Sequence, residues 1–146
     1  MDRHSLYLIK TMIQRNGRIS LPANGNSMFP FIQEGDICTF IVCEPAHLEK
    51  GDIVLFHSSG EQLVGHRLCQ TTILGDQILY QCKGDTNLGI DEPIGRDQII
   101  GKLISVKKNW MTFKEQDVST VVWKRIIITF PGVSGMLRRY LNGVSL

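Results

Sequence analysis

Short β-type segments punctuated by glycine or proline constrain the fold of this chain more than any other feature. Six segments are rich in Ile, Val, Leu and Thr: residues 36–42, 52–56, 62–68, 72–74, 78–82 and 98–106. Gly75-Asp76 separates two of them by the two residues of a tight hairpin. Strands in such close succession favour a mainly β protein, an antiparallel barrel-type or sandwich domain, over βαβ units.

At both ends of the chain, apolar residues recur with the period of a helix and not with that of a strand. Apolar residues near the start recur every three or four positions and predict a short amphipathic helix: Leu6, Ile9, Met12 and Ile13. Ser5 is its predicted N-cap and Asn16-Gly17 its predicted end. A chain of 146 residues supports one domain. We divide it into an N-terminal helix (1–17), a β core (18–108) and a helical C-terminal tail (109–146).

The tail is predicted to form two short helices interrupted at Pro131-Gly132. Its apolar stripes are Trp123, Ile126, Ile127 and Phe130, and then Met136, Leu137, Tyr140 and Leu141. From Val118 onward the tail has four basic residues and no acid, whereas the preceding residues have 12 basic and 14 acidic side chains. Two interpretations follow. The helices pack on the β core, or they form an interfacial anchor that contacts an anionic membrane, with Trp123 and Tyr140 at the interface.

Charge and hydropathy exclude several classes of protein. A net charge of +2 is too small to indicate a nucleic-acid partner. The chain has no apolar run of 18 residues and no signal-peptide pattern, so we expect no transmembrane helix and a location that is cytoplasmic or peripherally membrane-associated. Cys38, Cys43, Cys69 and Cys82 form no C-x-x-C pair, which predicts free thiols in a reducing compartment. A zinc site is the alternative, since His47, His57 and His66 lie nearby, but the paired-ligand spacing is missing, and we expect no metal and no cofactor.

The first candidate for chemistry is a serine in the segment Gly25-Asn26-Ser27-Met28-Phe29-Pro30. A nucleophilic serine needs a rigid backbone that presents its hydroxyl, with N–H groups nearby for an oxyanion. A glycine two residues before Ser27 permits the tight turn that this requires. On the residues alone, a turn serine that caps Pro30 and the next strand is the favoured interpretation of the segment.

Two further elements carry titratable side chains. His66 lies in the apolar run Val64-Gly-His-Arg-Leu68, and histidine suits a general base because it titrates near neutral pH. Residues 83–91 form a glycine-rich loop with carboxylates at Asp85 and Asp91, either of which can orient an imidazole. A strand histidine and a decorated β-turn are the alternative interpretations. The loop lacks the alternating ligands of a calcium site.

The order of these elements resembles the type I signal peptidase superfamily. Gly-x-Ser-Met-x-Pro, Gly-Asp, Lys-Gly-Asp-Ile-Val, Gly-His-Arg and Lys-Gly-Asp-x-Asn-(x)3-Asp follow one another between residues 20 and 106. The pattern is most similar to the archaeal and endoplasmic-reticulum-type branch, which uses histidine in place of lysine. The resemblance implies a serine endopeptidase with a signal-peptidase/LexA-like β fold. Its substrate would be a signal or leader peptide that lies extended along a strand edge.

The resemblance also implies individual roles. Ser27 matches the nucleophile, His66 the general base, and Asp91 the acid that orients the histidine; Asp85 matches a supporting acid. Gly25, Asn26 and Met28 belong to the serine motif, and backbone N–H groups would form the oxyanion hole because Gly25 carries no hydroxyl. Lys83 is the competing base of a Ser-Lys mechanism.

Two other functions stay open at this point. One is a LexA-like peptidase that cleaves itself or a partner. The other is an inactive β-rich domain that binds peptides.

Overall fold

One antiparallel sheet of seven strands organises the protein, and the computed structural model describes it together with its helices over residues 1–144. The strands are β1 (Arg18–Pro22), β2 (Ile37–Ile41), β3 (Ile53–His57), β4 (Leu63–Leu74), β5 (Gln77–Lys83), β6 (Ile99–Lys108) and β7 (Met111–Lys114). The helices are α1 (Arg3–Asn16), α2 (Val118–Thr129) and α3 (Gly132–Val144). Single 3₁₀ turns span Pro45–His47 and Arg96–Gln98. The mainly β class with helices at both ends is confirmed.

The sheet is open, so the prediction of a barrel is wrong in that respect. Its strand order is β1-β2-β6-β3-β4-β5, with β7 paired to the second half of β6. β1 and β5 lie at opposite ends of this path, and no register joins them within the described residues. Closure depends on a pairing between strands far apart in the sequence, which local patterns do not encode.

The predicted strands correspond to β2 through β6, with one difference. Segments 62–68 and 72–74 belong to one strand, β4, whose register shifts between Leu68 and Gln70. The hairpin at Gly75-Asp76 is confirmed, since Leu74 pairs with Gln77. β1 was not predicted as a strand, although Ile19 and Leu21 alternate inward along it. β7 lies within the tail that was predicted to be helical.

The N-terminal helix begins earlier than predicted. Asp2, and not Ser5, is the N-cap: the Ser5 backbone N–H donates to Asp2 Oδ1 at 2.7 Å. A carboxylate three residues before a free N–H is the standard capping geometry, and the charge also suits the positive end of the helix dipole. The end at Gly17 is confirmed, and its N–H donates to the Ile13 carbonyl. Leu6 and Ile13 are buried in the larger of two core clusters.

The tail forms the two predicted helices and the interruption at Pro131-Gly132 is confirmed, because α2 ends at Thr129 and α3 begins at Gly132. Ser145 and Leu146, which end the predicted tail, lie outside the described residues. α2 packs close to Gly51, where φ is +100°. That φ favours glycine, and a Cβ there would also lie 2.6 Å from side-chain atoms of Lys124 and Ile128, which would have to shift. We call α2 and α3 the C-terminal hairpin.

All four cysteines are unpaired thiols. Burial raises the pKa of Cys38 to about 11 and that of Cys82 to about 12, and it also raises the pKa of Cys43 and Cys69 above the usual 9.0. Only the thiolate reacts with disulfide reagents, and a rise of two pKa units leaves roughly 100-fold less of it at a given pH below both values.

Cys38 and Cys82 are therefore expected to react at least roughly 100-fold more slowly in the native protein than in the unfolded chain. The measurement is the rate of thiol release from an aromatic disulfide at pH 8, with and without guanidinium. The exposed thiol of free cysteine provides the reference rate. Rapid labelling of all four thiols in the native protein would contradict the buried positions of Cys38 and Cys82.

Candidate active site

The serine motif lies in a tight loop between β1 and β2. Gly25 has a φ of +74°, which turns the backbone immediately before Asn26 and Ser27. The Ala23 N–H donates to the Asp36 carbonyl and the Gly35 N–H to the Ala23 carbonyl, so hydrogen bonds close the loop at its base. The Asn26 side-chain oxygen accepts from the Glu34 N–H at 3.3 Å. Residues on both sides of Ser27 therefore stabilise the loop.

His66 lies on β4 and contacts both other candidate residues. Its Nδ1 is 2.5 Å from Asp91 Oδ2, and its Nε2 is 3.0 Å from Ser27 Oγ. Because a carboxylate only accepts, Nδ1 carries the hydrogen, which leaves Nε2 to accept the serine hydroxyl hydrogen. The His66 side chain is 12% exposed, and its ring lies roughly perpendicular to that of Phe56, with centroids 6.4 Å apart. This tautomer and orientation suit removal of a proton from Ser27.

The loop of residues 83–91 follows β5 and contacts the serine loop directly. Thr86 donates to the Ser27 carbonyl through its N–H at 3.0 Å and through its hydroxyl at 3.2 Å. The Asp91 N–H donates to the Cys82 carbonyl, which folds the end of the loop back beside β5. These bonds fix the peptide plane after Ser27 and bring Asp91 to His66. Thr86 had no predicted role, although it lies within the quoted Lys-Gly-Asp-x-Asn motif.

Asp85 is not beside His66 but on the other side of β4, in a buried ion pair with Arg67. Its two oxygens accept from Arg67 Nε at 2.8 Å and from the terminal Nη2 at 2.9 Å, and Arg67 Nη1 donates to the Gly51 carbonyl. Asp85 is 2% exposed and Arg67 5%. Adjacent strand residues face opposite sides, so His66 and Arg67 diverge and anchor β4 to the two acids of one loop. Strand alternation, together with the rule that buried arginines need an acid, is the signal that could have identified this pair.

Lys83 does not contact Ser27. Its Nζ donates to Ser134 Oγ on α3 at 2.7 Å, and Ser134 is buried. Among the remaining motif residues, Met28 is 4% exposed and belongs to the core, while Gly25 and Met28 both line the cleft described below. His47 is exposed, and His57 accepts from Lys10 Nζ at 3.0 Å. The amine of the competing base Lys83 thus bonds to α3, whereas the hydroxyl of Ser27 bonds to His66.

The C-terminal hairpin reaches both loops of the candidate site. The Trp123 indole N–H donates to Asp85 Oδ2 at 3.1 Å. Tyr140 stacks on Phe29, two residues after Ser27, with ring centroids 5.7 Å apart. One face of these helices therefore packs on the domain, as the first interpretation of the tail predicts. Trp123 is directed toward the domain and not toward a membrane interface. Sequence patterns suggested neither contact, because both join residues far apart in the chain.

A cleft of about 640 Å³ opens beside Ser27 and His66 between two strand segments. On one side it is lined by Leu21 to Gly25, at the end of β1; on the other, by Gln62 to His66, at the start of β4. β1 pairs only with β2, and β4 pairs with β5 only from Arg67 onward within the described residues. Both segments thus border the cleft without a ladder partner on that side. An extended peptide can add backbone hydrogen bonds to such edges.

Comparison with known proteins gives one distant relationship. The chain is 30% identical over 59 residues to signal peptidase I W of Bacillus subtilis (strain 168), a match that covers 40% of this chain and 31% of the relative. The chain therefore spans about a third of that relative's length. No family model matches, and no solved structure matches. These findings support a distant, signal-peptidase-like relationship.

Residues 1–144 contain neither a cluster of metal-ligating side chains nor a helix that could cross a membrane. No group of three or more His, Cys, Asp or Glu side chains lies close enough together to hold a metal ion in this part of the chain. None of its helices combines the length and the apolar character that crossing a bilayer requires.

Proposed function

We propose that this protein is a serine endopeptidase that cleaves a signal or leader peptide through an acyl-enzyme. The contact that carries the proposal is the hydrogen bond from Ser27 Oγ to His66 Nε2, at 3.0 Å, with Asp91 on the opposite ring nitrogen. A Ser-His-Asp triad consists of a hydroxyl, a base that contacts it and an acid that orients the base. Ser27, His66 and Asp91 contact one another in that order. The distant similarity to a signal peptidase supports the same class of reaction.

In the proposed reaction, His66 Nε2 accepts the Ser27 hydroxyl proton while Oγ attacks the scissile carbonyl carbon. The tetrahedral oxyanion is stabilised by the Ser27 N–H and a second backbone donor. The protonated imidazole then donates its proton to the leaving amine, and the C–N bond breaks to leave a Ser27 ester. Water, deprotonated by His66, attacks this ester, and the acid product leaves as the proton returns to Ser27. Asp91 stabilises the imidazolium in both halves.

The substrate would bind as an extended strand in the cleft. Strand segments border it on two sides, and the apolar side chains of Leu21, Met28 and Phe40 are among those that line it. Main-chain hydrogen bonds would supply affinity independent of sequence, and the apolar lining would select side chains near the cut. This mode suits a signal or leader segment, which is apolar and lacks a fold of its own.

Labelling with a fluorophosphonate probe tests the proposal. Wild-type protein is expected to acquire one adduct by mass spectrometry, located at Ser27, and Ser27→Ala none. Ser119→Ala is the matched control, because Ser119 is exposed on α2, and it should be labelled like wild type. Equal labelling of Ser27→Ala, or an unlabelled wild-type protein that still binds extended peptides, would refute the peptidase and favour an inactive peptide-binding domain.

A further inference from the structure

The C-terminal hairpin presents two apolar stripes to solvent. On α2 they are spaced four residues apart and continue into the connection: Val118, Val122, Ile126 and Phe130. On α3 the same spacing recurs: Met136, Tyr140 and Val144. Their exposed fractions range from 36% at Ile126 to 79% at Val118. A spacing of four residues places each set along one face of its helix.

A different face of each helix holds the hairpin on the domain. Ile127 and Ser134 are buried, and Trp123 reaches Asp85. On a helical wheel these residues lie roughly 80–120° from the middle of the exposed stripe of their own helix. Apart from Tyr140, whose ring stacks on Phe29, the stripes therefore lie outside the face that packs on the domain, and packing leaves them exposed.

Positive charge accompanies these stripes. Arg125, Arg138 and Arg139 are exposed, and Lys124 is half-buried. The sequence has no Asp or Glu after Asp117, and none of the four cations has a carboxylate within ion-pair distance in the part of the chain that the structure describes. A second copy on this face would bring the same cations together, which opposes self-association. An anionic partner with an apolar layer complements both features.

We propose that the C-terminal hairpin binds anionic lipid surfaces, with its apolar stripes in the headgroup–acyl boundary and its arginines against the lipid phosphates. α2 and α3 have 12 and 13 residues. At 1.5 Å per residue each is about 18–20 Å long, short of the roughly 30 Å hydrocarbon layer. Helices of this kind lie in the plane of the interface. Aromatic side chains suit that depth, and Phe130 and Tyr140 are each about 60% exposed.

The charge contribution to binding can be stated as a fold-change. Each basic residue near an anionic leaflet contributes about fivefold to the partition constant, so removal of three gives roughly 100-fold. Salt screens this contribution, since the Debye length falls to about 3 Å at 1 M. The apolar contribution does not weaken in this way. Binding is therefore expected to need both anionic lipid and low salt.

Co-sedimentation of the whole chain with vesicles tests the proposal. Wild type is expected in the pellet with phosphatidylcholine–phosphatidylglycerol vesicles at low salt, and in the supernatant at about 1 M salt or with phosphatidylcholine alone. Arg125→Gln/Arg138→Gln/Arg139→Gln should partition roughly 100-fold more weakly. The control Arg15→Gln/Arg18→Gln/Lys50→Gln removes the same charge from exposed positions elsewhere, and we expect a partition constant close to that of wild type.

A second variant separates charge from hydrophobic contact. Val122→Gln/Ile126→Gln/Met136→Gln removes three exposed apolar side chains and keeps every cation, and it is expected to weaken binding at least tenfold. Ile73→Gln/Leu74→Gln, at the exposed β4–β5 turn, is its control. Circular dichroism confirms that each variant folds. Three results would overturn the proposal: wild type that stays in the supernatant at low salt, equal partition of the hairpin variants and their controls, or self-association through the stripes without lipid.

Discussion

Replacement of His66 by alanine is expected to lower the rate of Ser27 acylation by about 10⁶-fold, to below detection, with the fold intact. His66 is the side chain that contacts Ser27 Oγ, and triad members act as a unit, so loss of the base removes nearly all of the rate that the set provides. The measurement is the second-order rate of phosphonylation by the fluorophosphonate probe, a reaction that, like acylation, requires His66 to accept the Ser27 proton as Oγ attacks. His47→Ala is the matched control, because His47 is exposed and outside the site.

Asp91→Asn is expected to cost less, roughly 10⁴-fold. An asparagine retains the shape but neither stabilises the imidazolium nor selects the tautomer with hydrogen on Nδ1.

Lys83→Ala tests the competing mechanism. Its Nζ contacts Ser134 and not Ser27, so this variant should keep most of the rate. An inactive Lys83→Ala together with an active His66→Ala would reverse the assignment in favour of a Ser-Lys dyad.

Loss of the carboxylate at Asp85 is expected to have the largest effect on stability. Asp85→Ala leaves the Arg67 guanidinium buried without its partner, and such a change costs about 3–5 kcal/mol of unfolding free energy. It also removes the acceptor of the Trp123 N–H. For a domain of this size the melting temperature should fall by roughly 10 °C. Urea or thermal denaturation, followed by circular dichroism, gives both quantities.

An exposed ion pair provides the matched control for Asp85→Ala. Glu44 Oε1 and Arg96 Nη2 are 2.6 Å apart, but the two side chains are 42% and 65% exposed. Glu44→Gln should therefore change the free energy of unfolding by less than about 1 kcal/mol. The double variant Arg67→Met/Asp85→Leu removes both charges and is expected to recover most of the loss. An Asp85→Ala protein as stable as Glu44→Gln would show that Arg67 is solvated and that the pair does not anchor the loop.

The elements of this fold were predictable where the signal is local. The β4–β5 turn follows from two residues between apolar runs, and the end of α1 follows from a glycine after a helical stripe. β7 was missed because four residues inside an otherwise helical tail carry no period of their own. The open sheet was missed because edge pairing involves contacts distant in sequence.

The three candidate side chains could be selected from the sequence, but their distances could not. Ser27, His66 and Asp91 lie on three separate segments, and they meet because β4 pairs with β5 and because Thr86 bonds to the Ser27 carbonyl. For Trp123, the sequence indicated an apolar environment but not the polar contact that the side chain makes. Its place in an apolar stripe predicted either packing of the ring on the β core or a position at a membrane interface, whereas its indole N–H donates to a buried carboxylate.

The cleft between the end of β1 and the start of β4 limits which proteins the proposed peptidase would cleave. A chain that binds between two strand edges must be extended over several residues, so a segment inside a folded domain has to open before it can enter. When opening is fast relative to cleavage, the observed rate falls by the opening equilibrium constant. A segment that costs about 4 kcal/mol to open would be cut roughly a thousandfold more slowly than the same segment in an unfolded leader. Folded neighbours would thus be protected by their own local stability, without any need for the cleft to recognise their sequence.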